Sequence, residues 1–183
     1  MYVKHYLYHF ARLHTAKYKG KQAPHKAVLL LAVMSLIEQG EITSPDIELT
    51  DGLVECFKRI WNKKLPASCP FTCDIGKPFY HMQHEPFWRL VEHNEETNMV
   101  AEALGLYNND TKPLMPGRYG LNSLREQFRC ARIDTNLYEL MADAESRQEM
   151  RELLVSTYLN YDPPKTTKTI TALSLSLIGM LIA

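Results

Sequence analysis

The chain has 183 residues, 45% hydrophobic and 23% charged, which fits one domain with a real core and excludes a low-complexity chain. Lysine plus arginine equals aspartate plus glutamate at 21 each, so net charge singles out no partner. The distribution says more: Lys4, Arg12, Lys17, Lys19, Lys21 and Lys26 all precede the first acid, Glu38, and His5, His9, His14 and His25 lie in the same stretch. Such an asymmetry makes either a basic binding face or a solvated helix face without a ligand.

The first predicted element is a helix from about Tyr2 to Ala16, because Tyr2, Tyr6, Phe10 and Leu13 recur at helical spacing. Lys17 to Gln22 reads as a basic loop around Gly20. A second helix starts at Pro24, a residue suited to a first turn, and runs through the almost wholly apolar Ala27–Ile37, so it should be central and buried. Gly40 ends it, and Glu41-Ile42-Thr43 reads as a short strand. Thr50 or Asp51 caps a third helix from about Leu53 to Trp61, with Leu53, Phe57, Ile60 and Trp61 on its core face.

A proline- and cysteine-containing loop follows from Leu65 to Gly76. Next comes an expected hairpin, with Pro78–Gln83 and Phe87–Val91 as strands joined through His84-Glu85-Pro86. Short helices are expected over Met99–Tyr107 and Leu121–Phe128, with a loop from Asn108 to Tyr119 between them. Two helices close the domain, Asn136–Ala142 and Ala144–Leu159, the last capped by Asp143 with Met150, Leu153, Leu154, Thr157 and Tyr158 on one side. The fold class is α+β, mainly helical, with helices packed around a small antiparallel sheet or hairpin. Residues 1–160 form the domain, and 161–183 a linker followed by the apolar segment Ile170–Ala183, which falls short of the roughly 20 residues of a membrane-spanning helix.

Candidate chemistry is sparse. Cys69 and Cys73, with Cys56, His81 and His84 nearby in sequence, lack the second close pair of a zinc site, so no metal or cofactor is expected. Charged and histidine residues interrupt any N-terminal leader, so the four cysteines are expected to be free thiols in a reducing cytoplasm. Phosphate-loop, dinucleotide, zinc-protease and hydrolase signatures are missing, and His93-Asn94 is only a fragment of an HNH nuclease pattern. The strongest local signal is Gln22-Ala23-Pro24-His25-Lys26 leading into the apolar helix. It puts His25 and Lys26 at a helix start, whose unsatisfied N–H groups and dipole attract phosphate; a capping or core-edge histidine is the competing reading of His25.

The segment Ala23-Pro24-His25-Lys26 with its apolar run resembles the APHKPLLLL segment of the sulfur-binding domain of McrA-like type IV HNH restriction endonucleases. Lys77-Pro78-Phe79-Tyr80-His81-Met82-Gln83, followed by Phe87-Trp88-Arg89-Leu90, is similar to that family's YPF-x-x-L-Q strand and its tryptophan-containing partner. The resemblance spans roughly residues 1–160 and includes the two closing helices. It implies a mainly helical fold with a small sheet, and recognition of double-stranded DNA in which sulfur replaces a non-bridging phosphate oxygen. Its family members often carry a C-terminal HNH nuclease, for which this sequence leaves no room after Leu159.

The physical case for such a site is independent. Sulfur is larger and less hydrated than oxygen, so an apolar notch rimmed by cations desolvates it cheaply while leaving an ordinary phosphate oxygen without hydrogen bonds. The expected sulfur pocket is Lys77, Pro78, Phe79, His81 and Arg118, with Pro78 as the apolar contact and Arg89 as the alternative to Arg118. Lys17, Lys19, Lys21, Gln22, His25 and Lys26 are expected on flanking phosphates, and Gln83 on a base edge or facing water. Lys77 stands where the resembled family has tyrosine and His81 where it has a small residue, so a more polar pocket that accepts ordinary phosphate is the alternative. An ordinary DNA-binding regulatory module and a protein-interaction domain of a defence system are the competing functions. The sequence does not give the oligomeric state, and a homodimer is compatible with it.

Overall fold

A computed structural model of the protein describes residues 3–93 and 119–161. The N-terminal helix α1 (Val3–Phe10) buries Tyr6 and Phe10, one turn apart. It stops well short of Ala16 because the next amides find tertiary acceptors: Leu13 N–H donates to the Tyr158 hydroxyl (2.9 Å) and His14 N–H to Glu85 Oε1 (2.9 Å). The basic loop is a small hairpin, β1 (Lys17–Tyr18) against β2 (Lys21–Gln22). Lys19 and Gly20 turn it with φ of 49° and 77°, the positive values a two-residue hairpin turn requires.

Helix α2 (His25–Glu38) begins after Pro24 and is buried on nearly every side, as its apolar run predicts. Gly40, at φ 74°, closes it as expected. The strand expected at Glu41-Ile42-Thr43 does not form there. The amides of Glu41 and Ile42 both donate back to the Leu36 carbonyl and are spent on the helix end, so pairing starts later, in β3 (Asp46–Ile47). Helix α3 (Asp51–Lys64) is capped by Thr50, whose hydroxyl accepts from Leu53 N–H at 3.2 Å, and it buries Leu53, Val54, Phe57 and Trp61.

The largest correction concerns the expected hairpin. Its first strand is the short helix α4 (Gly76–His81), continued by a 3₁₀ turn at Met82–His84. Lys77, Pro78, Phe79 and His81 are therefore helical, and Gln83 lies in the turn. Pro78 sits in the first turn of α4, where its missing N–H leaves no bond unmade. Phe79 and Met82 are buried at helical spacing. The second strand exists as β4 (Trp88–Glu92), but it pairs with β5 (Phe128–Ile133), in register Trp88↔Ile133 to Val91↔Cys130. Strand β5 is central in an antiparallel β3-β5-β4 sheet.

Helix α5 (Leu121–Gln127) leads into β5, and α6 (Thr135–Ala142) and α7 (Ala144–Tyr158) follow. Asp143 caps α7 by accepting from Ser146 N–H at 2.9 Å. Met150, Leu154 and Tyr158 form its buried stripe, while Thr157 faces solvent. One continuous core joins α1, α2, α3, the sheet and the two closing helices, so the chain is α+β and mainly helical around small antiparallel sheets. Among the described residues no helix is long and apolar enough to cross a membrane. The expected helix at Met99–Tyr107 and the tail Ile170–Ala183 lie outside the described residues.

Candidate nucleic-acid interface

The start of α2, the 70–72 segment and α4 meet around a cavity of about 530 Å³. Its apolar wall is Ala23, Pro70, Phe71 and Pro78, and its polar rim is His14, His25, Lys26, Lys77, His81 and His84. Ala16 and Ala23, which flank the β1–β2 hairpin, both line the cavity and are joined by an Ala23 N–H to Ala16 carbonyl bond of 2.8 Å. The hairpin with Lys17, Lys19 and Lys21 therefore rises from the cavity rim. Pro24 offers no side-chain cap to α2, and among the described residues no side chain accepts from its first-turn N–H groups beside this cavity.

His25 is held firmly. Its Nε2 lies 2.8 Å from the Thr72 carbonyl, an acceptor only, so that nitrogen carries the proton; its ring packs against Trp61 (4.8 Å) and Phe71 (5.8 Å). Burial pulls the imidazole below the usual histidine range, opposed by the Thr72 carbonyl and Asp74. The His81 imidazole is lowered first by burial and then by the positive fields of His84, Lys26 and Lys77. Its ring stacks on His84 (5.9 Å) and packs on Tyr119 (4.8 Å). Lys77 is mostly exposed, and its nearest carboxylate, Asp74, is 3.8 Å away.

Lys26 plays a different part from the expected phosphate contact. It is 6% exposed, and its Nζ donates to Glu85 Oε1 at 2.6 Å, so its charge is already paired. Glu85 is itself 3% exposed and accepts from the His14 backbone at Oε1 while its Oε2 meets His14 Nδ1 at 3.3 Å. This carboxylate fixes Lys26 and the chain leaving α1 to one wall of the cavity. Glu85 falls in the expected hairpin loop, and the one sequence signal of its role is an acid set among Phe79, Met82, Phe87 and Trp88.

Of the residues expected to share a site, His25, Lys26, Lys77, Pro78 and His81 do line one cavity. Phe79 does not. It is 1% exposed in the core, with its ring edge-on to Trp88 at 5.7 Å. Gln22 uses its backbone carbonyl to accept from Tyr161 Oη at 2.5 Å, and Lys21 reaches the Tyr161 carbonyl at 3.1 Å. Gln83 is exposed beyond the cavity lining, and Arg89 lies on β4 opposite Arg132. Arg118 lies outside the described residues, as does Asn94 of the nuclease-like fragment. His93 is engaged with the Arg125 carbonyl at 2.9 Å. Cys69 and Cys73 bracket the 70–72 wall as free thiols.

Compared with known proteins, the chain matches no family model and no curated protein.

Proposed function

We propose that the protein binds double-stranded DNA through its backbone, seating a phosphorothioate linkage in the cavity against Pro78. The observation that carries this reading is the convergence of three distant segments, at 14–26, 70–72 and 77–84, on one cavity with an apolar wall and a cationic rim. Pro78, Pro70 and Phe71 offer carbon surface that suits poorly hydrated sulfur and leaves a phosphate oxygen unsatisfied. The uncapped start of α2 and the ammonium of Lys77 offer the positive field the remaining oxygen needs. Lys17, Lys19 and Lys21 on the adjoining hairpin would hold flanking phosphates, orienting the duplex without reading its sequence. Its free thiols suit the reducing cytoplasm, where we place it.

The test is titration of two duplexes that differ by one sulfur atom. Tighter binding of the thiolated duplex is expected, and equal binding removes the sulfur claim. In Pro78→Ala the preference for sulfur should shrink while the circular-dichroism spectrum stays the same. A second reading, a DNA-binding module indifferent to sulfur, is favoured by the four imidazoles on the rim, which in their protonated forms donate to an ordinary phosphate oxygen. Its mark is affinity that falls steeply with salt and ignores sulfur.

A further inference from the structure

A second concavity, of about 720 Å³, lies between α2, α3 and α7, and the proposed DNA site uses none of its residues. Helix α2 lines it with the buried Leu31, the half-buried Ser35 and, at its C-cap, the exposed Gln39, spaced one turn apart. Ser35 is the one polar break in its apolar run, and its small side chain, bonded to Gln39 Nε2 at 2.9 Å, leaves a depression. Ile60 of α3 and Val155 of α7 form the sides, so three helices leave a slot of the kind a fourth fills in a helical bundle.

The charges around this slot identify the occupant. Arg125, Arg132, Arg147 and Arg151 each have a carboxylate partner. Lys63 and Lys64, at the slot, have none among the described residues, and Arg59 donates to Cys56 Sγ at 3.4 Å rather than to an acid. The one acid in the lining among the described residues, Glu152, is engaged by Gln148 at 2.7 Å. An apolar floor under an uncompensated cationic edge complements a helix with an apolar stripe and acidic flanks. A nucleic-acid backbone would gain nothing from Leu31, Ile60 and Val155. The chain's own C-terminal segment does not fit the charge, because it has Lys165 and Lys168 and no acid after Asp162.

We infer that the slot between α2, α3 and α7 docks an acidic amphipathic helix of a partner protein, independently of DNA binding.

The experiment uses the full chain and a fluorescent synthetic peptide of about sixteen residues, with leucines on one helical face and glutamates on both flanks. The control peptide has the same composition in shuffled order. The amphipathic peptide should bind at least about tenfold tighter than the control, and Lys63→Glu with Lys64→Glu should weaken it by about tenfold or more. Ile60→Asp should do the same, with folding checked by circular dichroism, and all variants should retain the affinity of the parent chain for thiolated duplex. Equal binding of both peptides, or indifference to the lysine reversals, overturns the inference. So does displacement of the peptide by plain duplex DNA. Self-association abolished by Ile60→Asp would assign the slot to a second copy and overturn it as well.

Discussion

Burial is the largest cause of the lowered pKa of both His25 and His81, and the two rings face the same cavity. Between those lowered values and the unperturbed value of about 6.5, the unfolded chain binds more protons than the folded one. The ligand-free protein should therefore lose stability as pH falls through that window, seen as a falling Tm below neutral pH. On the proposed function, a DNA phosphate in the cavity would favour the imidazolium forms and reverse this preference. Affinity should then rise on acidification, by up to about tenfold per pH unit for each proton taken up. Duplex titrations between pH 7.5 and 5.5 check this, and a flat profile would mean the imidazoles do not face the phosphate. Lys26 gives a different expectation. Replacing it with methionine strips the 3% exposed Glu85 of its ammonium partner, which should cost about 3–5 kcal/mol in urea unfolding.

Helix α4 shows how a strand-like sequence becomes a helix. Aromatic and apolar residues at 78–82 suit a pleated surface locally, but the buried set is Pro78, Phe79 and Met82, which falls on one side of a helix. A proline in the first turn and a partner strand supplied from 128–133 decide the matter. Strand β5 was invisible for the same reason: its pairing partners are tens of residues away in sequence, and its own pattern is short. The elements read correctly were those set by local signals, such as Thr50 and Asp143 as caps and Gly40 as a stop. Gly76 marks where α4 meets the chain beyond it, since a Cβ there would lie 1.9 Å from the Tyr119 carbonyl oxygen. Gly76→Ala should cost about 1–3 kcal/mol through overpacking, measured by denaturant unfolding. It should also loosen Tyr119 from His81, weakening binding at the cavity. Pro78→Ala should cost about 1–2 kcal/mol, because alanine fits that first turn but part of a buried ring is lost.

The molecule divides its charge unevenly although its total is zero. The hairpin lysines stand at one end of α2 and the slot lysines at the end of α3, while many other basic side chains are paired with acids. On the proposed function, long-range attraction of DNA should therefore come from the hairpin and selectivity from the cavity. Reversing Lys17 and Lys19 to glutamate should lower the salt slope of DNA binding by about 2, at about 0.9 per phosphate contact. The ratio of thiolated to plain affinity should stay the same, which separates steering from sulfur recognition.

Periodicity, caps and turn residues were enough to place the central helix, α3 and the closing pair, because those properties depend on neighbours a few residues apart. The same local chemistry put His25 and Lys26 at a helix start. It could not foresee that Glu85 neutralises Lys26, that Phe79 faces inward, or that 70–72 closes the cavity wall. Those outcomes depend on which segments, distant along the chain, the core draws together. Burial and charge pairing are properties of that assembled interior and of no residue taken alone.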